Sequence, residues 1–111
     1  MTKKSFKIFV SLPMRGLDDD QVRKRQKAIF DEVAAPGWEL MDTMVVDENA
    51  DPDNPLWYLG RSIQLLGTAD AVIFANDWRT AKGCVVEHLV AEAYDILSLY
   101  ESDWVSYADV K

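Results

Sequence analysis

A small α/β domain on an open parallel sheet is the fold class this sequence predicts, and three observations predict it. Helical patterns alternate with apolar, β-rich runs in the order β-α-β-loop-α-β-α-β. Ala71-Val72-Ile73-Phe74-Ala75 is an almost unbroken apolar run, as expected of a strand covered on both faces. The chain has 111 residues, 49% of them hydrophobic, which suits one core, four or five strands and short connections. The expected architecture is a single domain over residues 1–111, a flavodoxin- or Rossmann-like three-layer fold with right-handed crossovers.

Each element follows from local chemistry. Phe6 to Val10 reads as the first strand. Ser11 to Gly16 holds Pro13 and Gly16 and reads as a loop. Asp18, Asp19 and Asp20 mark a helix N-terminus, where carboxylates accept free N–H groups and complement the dipole. That helix runs to about Ala35, burying Val22, Ile29, Phe30 and Val33, and Pro36-Gly37 stops it. Trp38 to Met41 is a short second strand. Asp42 to Asn54 is a long acidic loop with Asp47, Glu48, Asp51 and Asp53; its spacing matches no calcium cage, so a solvated lid is expected. Asn54 and Pro55 form a cap and first helical position. Leu56, Leu59, Ile63 and Leu66 then recur at three and four, and Gly67 ends the helix. Asp70 precedes the central strand and is expected to cap at the sheet end away from any site. Asn76-Asp77-Trp78 is the strand's exit loop. A third helix is expected from about Thr80 to Tyr94, burying Val86, Leu89, Val90 and Ala93, with a last strand from Ile96 to Tyr100.

Composition excludes several function classes. The net charge of −7 opposes binding to a nucleic-acid polymer, which needs a positive surface. A single nucleotide is still compatible, because backbone N–H groups and one Arg can hold a phosphate. Arg23, Lys24, Arg25 and Lys27 read as the solvated face of the first helix. With one cysteine, Cys84, and one histidine, His88, no disulfide within the chain and no metal site is expected. No apolar run is long enough for a membrane span and no leader is evident, so a cytoplasmic protein is the expectation.

In parallel sheets ligands sit beyond the carboxyl ends of the strands. That rule selects the loops at 12–16, 42–54 and 76–83. Glu87 lies early in the third helix, on one stripe with Cys84 and Ala91, and can face the crevice. An ionised carboxylate there can attack an anomeric carbon; the plain alternative is a surface Glu favoured by the helix dipole. The Ser11–Gly16 loop can aim N–H groups and Arg15 at an anion, or be an ordinary turn before a helix. Asp77 can accept a sugar hydroxyl or act as acid or base, and Trp78 can wall a slot for a base. Asn76 and Asp77 are also good turn formers. His88 is expected to pack or cap.

Three stretches together resemble the nucleoside 2-deoxyribosyltransferase-like superfamily, especially its short bacterial and phage members. They are FVSLPMRG (Phe9 to Gly16), LLGTADAVIFA (Leu65 to Ala75) and DWRTAKGCVVEHLVA (Asp77 to Ala91). The resemblance implies that Glu87, in the segment G-x-x-x-E from Gly83, is the nucleophile at C1′ of a deoxyribose. It implies sugar or 5′-phosphate contacts from Ser11, Met14, Arg15 and Gly16, and Ser62 as a further site residue. No cofactor is implied. Many active members complete the site with C-terminal residues of a neighbouring subunit, which implies a homodimer or higher homo-oligomer, with Tyr107 and Asp109 as tail candidates. Ala81 departs from the family pattern, which usually has Asp or Ser there.

The expected function is therefore deoxyribosyl transfer or hydrolysis at the N-glycosidic bond of deoxynucleosides or their 5′-monophosphates. Catalytic candidates are Glu87, Asp77 and Ser62. Ser11, Pro13, Met14, Arg15, Gly16, Asn76, Trp78 and Gly83 are the binding candidates. Two alternatives stand beside it. One is a non-catalytic nucleotide-binding or sensor module, favoured by Ala81. The other is a structural or oligomeric interaction protein, with Trp57, Tyr58, Trp104 and Tyr107 as interface aromatics.

Overall fold

The computed structural model describes residues 5–43, 50, 51 and 53–101. Most of the acidic loop, including Asp47 and Glu48, and the tail with Trp104, Tyr107 and Asp109 lie outside the described residues. The elements are β1 (Phe6–Ser11), α1 (Asp19–Val33), β2 (Trp38–Leu40), α2 (Pro55–Leu66), β3 (Ala71–Phe74), α3 (Lys82–Ala93) and β4 (Leu97–Tyr100), with a 3₁₀ turn at Trp78–Thr80. All four strands are parallel, in the order β2-β1-β3-β4.

The period-two alternation of β1 sorts the core into two layers. Ile8, Val10 and Leu12 join Ala71, Ile73 and Ala75 against Ile29, Phe30 and Val33 of α1. Phe9, Val72 and Phe74 face the other way, against Leu65 and Leu66 of α2 and Val90 and Ala91 of α3. The result is an α/β/α sandwich, with α1 on one face and α2 and α3 on the other. Ser11 pairs in register with Phe74 and so points to the α2–α3 face. The loops leaving β1 and β3 go to opposite faces, which opens a crevice at their carboxyl ends.

Local signals account for the boundaries. Asp18 caps α1 in a reciprocal capping box with Gln21. Two tight turns need glycine. Leu17 N–H bonds to Met14 C=O around Gly16 at φ 82°, and Trp38 N–H to Ala35 C=O around Gly37 at φ 89°, with Pro36 before it. Asn54 caps α2 through the Leu56 N–H, and Pro55 sits inside its first turn. Asp70 Oδ2 accepts the Lys7 N–H at 2.7 Å, closing the amino end of the sheet, opposite the crevice.

Four expectations need correction. The third helix starts at Lys82, because Ala81 is extended and a separate 3₁₀ turn precedes it. Its buried face is Cys84, Glu87 and Ala91, whereas Leu89 and Ala93 are exposed and Val86 and Val90 half-buried. Apolar residues surround this helix on nearly every side, so periodicity could not choose the face; the small Cys84 and Ala91 let it approach the sheet. Leu56, in the first turn of α2, is 72% exposed rather than core. Arg25 is not merely a solvated lysine-like charge: it makes a bidentate pair with Glu101 at 3.0 and 3.1 Å.

Candidate functional site

Glu87 is the centre of the crevice. It is 6% exposed, on the face of α3 that meets the sheet. The Ser11 hydroxyl, at the end of β1, donates to Glu87 Oε1 at 2.7 Å. The Ser62 hydroxyl, from α2, donates to Oε2. Each oxygen is thus held by a different element, which fixes the carboxyl plane. Among the described residues no cation pairs with it. Burial pushes the Glu87 carboxyl above its ordinary value, and the Ser62 and Ser11 hydroxyls pull it partway back. Cys84 lies one turn earlier on the same face. Burial pushes its thiol up to about 11, so it is a packed, protonated group and a poor nucleophile.

Glu87 opens on a cleft of about 410 Å³ above the carboxyl end of β1. Its apolar wall includes Leu12, Met14 and Tyr58, and its polar groups are Ser11, Asp19, Gln26, Thr43, Ser62 and Glu87. An adjoining recess of about 220 Å³ shares Leu12, Met14, Tyr58, Ser62 and Glu87 and adds Ala81 and Gly83. This is the scale and character of a small-molecule site: mostly apolar, with a few convergent polar groups and a carboxyl displaced from its usual pKa.

The structure divides the residues singled out in the sequence among three places. Ser11, Met14, Ser62, Gly83 and Glu87 come together around the cleft and its recess. Pro13, Arg15 and Asp77 line a separate open groove with Leu17, Gln21, Lys24 and Arg25. Gly16 forms the turn between them. Asn76 and Trp78 line a third hollow with Phe74, Ala75, Arg79, His88 and Tyr100. There Trp78 stacks on His88 at 4.2 Å between ring centres, and His88 Nε2 meets the Tyr100 hydroxyl at 2.6 Å. His88 is therefore a packing residue, and the Trp78 face that it covers is closed to a ligand. Asp77 does not line the Glu87 cleft. The second carboxylate there is Asp19, from the first turn of α1.

Sequence reasoning passed over Tyr58 as a wall of this cleft, and Asp19, Gln26 and Thr43 altogether. In the sequence Asp19 reads only as a helix starter. Gln26 did carry a signal: it is a polar residue inside the apolar stripe of Val22, Ile29 and Val33.

A parallel sheet with diverging loops at β1 and β3, and a buried carboxyl held at that edge, defines a flavodoxin-like α/β protein with a carboxylate-centred cleft. The chain belongs to the family described as Domain of unknown function (DUF4406), whose pattern it matches over residues 6–100, from the start of β1 to the end of β4. No curated protein and no solved structure proved similar to it. Among the described residues, no helix is long and apolar enough to cross a membrane, and no group of three His, Cys, Asp or Glu is placed to hold a metal ion.

Proposed function

We propose that this chain is a nucleoside 2-deoxyribosyltransferase-like enzyme that breaks the N-glycosidic bond of deoxynucleosides or their 5′-monophosphates. The observation that carries the reading is Glu87: buried, cleft-facing, held through both oxygens by hydroxyls and unpaired with any cation among the described residues. A carboxylate locked in orientation but little solvated is suited to nucleophilic attack. Its oxygen forms a bond to C1′ as the C1′–N bond breaks, and the electron pair leaves with the base, which takes up a proton. Water or a second base then attacks C1′ from the side opposite Glu87 and gives up a proton to solvent, replacing the one the departing base took from it, and the Glu87 carboxylate is returned. Ser11 and Ser62 position the carboxylate and are not themselves consumed. Tyr58 and Met14 offer an apolar wall to the base or sugar. No cofactor takes part. Hydrolysis or transfer depends on how well the occupied cleft excludes water.

The test is base release from a panel of deoxynucleosides and deoxynucleoside monophosphates, with and without an acceptor base. Glu87→Gln should reduce turnover by more than about 10³-fold, as loss of a nucleophile does, in a protein that keeps its fold. Undiminished turnover in that variant overturns the mechanism. The homodimer or higher homo-oligomer that the resemblance implies is tested separately, by light scattering.

One observation favours a second reading, a nucleotide-binding module without chemistry. Ala81 brings no carboxyl to the recess, and Asp77 faces the other groove. This reading expects saturable nucleotide binding with no base released by the folded wild type.

A further inference from the structure

We infer that Gln26 and Thr43 form the recognition edge of the cleft, reading a heterocycle that presents a hydrogen-bond donor beside an acceptor. The ligand class rests on the nucleoside reading above; the edge itself rests on geometry.

Gln26 is 4% exposed and lines the cleft from α1. It sits in the helix stripe that packs on the sheet, between Val22 and Ile29, where an apolar side chain would bury at no polar cost. Its Nε2 donates to Thr43 Oγ1 at 2.8 Å, which spans from α1 to the segment after β2 and fixes the amide plane. Its Oε1 accepts no hydrogen bond from the described residues. Every side-chain N or O fully shut from solvent among them does have a partner, so Oε1 keeps open surface; of the two hollows that Gln26 lines, the cleft is the larger and the one it shares with Thr43, and we place Oε1 there. The Thr43 oxygen accepts from Gln26 and so retains its own proton to give. An acceptor and a donor therefore lie side by side, on the α1 side of β1, while Glu87 and its hydroxyls lie on the α2–α3 side. A ligand lying across the end of β1 would meet Glu87 at one end and this pair at the other. The pair complements an edge such as an exocyclic amino group next to a ring nitrogen, or a ring N–H next to a carbonyl. A purine without a 6-substituent lacks the donor and would leave Gln26 Oε1 buried and unpaired.

The experiment is equilibrium binding, by calorimetry, of 2′-deoxyadenosine and of purine 2′-deoxyriboside to the wild type, Gln26→Leu and Thr43→Val. The wild type should prefer deoxyadenosine by about ten- to a hundredfold, the usual cost of a stranded buried acceptor. Gln26→Leu, which continues the apolar stripe, should bring the two affinities within about threefold of each other. Thr43→Val, which keeps the volume and lies outside the helices, should weaken both ligands by a similar factor. A preference that survives unchanged in folded Gln26→Leu overturns the inference and leaves the nucleoside reading intact. Failure of the wild type to bind either ligand, as nucleoside or as 5′-monophosphate, overturns the assignment of this edge, while the base-release panel decides the nucleoside reading on its own.

Discussion

Among the described residues two glutamates are buried at the carboxyl edge of the sheet, and the fold treats their charges in opposite ways. Glu101, 8% exposed, follows β4 and is answered on every side. Arg25 grips both its oxygens, and the Asn76 N–H donates to Oε1 at 2.9 Å. It ties α1, on one face of the sheet, to the ends of β3 and β4. Glu87, 6% exposed, receives two hydroxyls and no cation from the described residues, and it opens on a cleft. A compensated buried acid acts as a clamp. An acid that is buried, oriented and left uncompensated serves stability poorly, and this is the pattern expected of chemistry. Burial alone does not separate the two; the partners do.

The largest effect should come from breaking the clamp. Arg25→Met would leave Glu101 buried without its cation. A fully buried pair broken in this way loses about 3–5 kcal/mol. The Arg25 side chain is 38% exposed, so water can partly replace it, and a loss of about 2–3 kcal/mol is expected here. Urea unfolding should show a lower midpoint with an unchanged slope. The double variant Arg25→Met with Glu101→Leu should regain most of the loss, because no charge is then stranded. If Arg25→Met costs nothing, Glu101 is no clamp and the contrast between the two acids fails.

The next effect concerns Glu87 and has the opposite sign. Its folded pKa is raised by burial above the unfolded value. The folded state therefore holds the proton more tightly, and between the two pKa values it binds more protons than the unfolded state. Stability then falls as pH rises through that window, from the ordinary carboxylate value upward. Glu87→Gln removes the titration. It should be more stable than the wild type at neutral pH, and the two should converge as pH falls below the ordinary carboxylate range. Thermal unfolding across pH 3.5 to 7.5 reads this directly. A wild type more stable than Glu87→Gln at neutral pH would make Glu87 a second clamp rather than a site residue.

How much of this was legible follows from how local each cause is. The capping box at Asp18 and Gln21, the Pro36-Gly37 turn and the Asn54-Pro55 helix start are written within four residues and were readable. So was the parallel sheet, from the apolar run at Ala71 to Ala75. The crevice was reached by a topological rule, which placed Ser11, Glu87 and the 76–83 loop at one edge. The rule could not say that Arg15 and Asp77 line a different groove, because that depends on which way each side chain leaves its own loop, after β1 for Arg15 and after β3 for Asp77. The pairing of Arg25 with Glu101 joins residues 76 apart in sequence and left no local trace. Gln26 did leave one, as the polar break in an apolar stripe, but only a cleft beside it turns that break into a contact. For α3, apolar residues on most faces hid which of them the sheet would cover.

The smallest effect tests whether the Glu87 site is set locally or by its helix. Ala81, the cap position of α3, is extended at φ −117° and ψ 127° and makes no side-chain hydrogen bond to the helix start. Its backbone already has the cap conformation, so Ala81→Ser needs no rearrangement to offer an oxygen to a free N–H of the first turn. A gain of about 0.5–1 kcal/mol is expected, measurable as a shift in the urea midpoint. Glu87 lies beyond the first turn, where the field of the helix end has largely fallen away. The gain from Ala81→Ser should then add to that from Glu87→Gln within about 0.5 kcal/mol, as for independent sites. Stronger coupling between them would mean that the end of α3 helps to set the charge on Glu87, and that burial and the two hydroxyls do not suffice to explain its state.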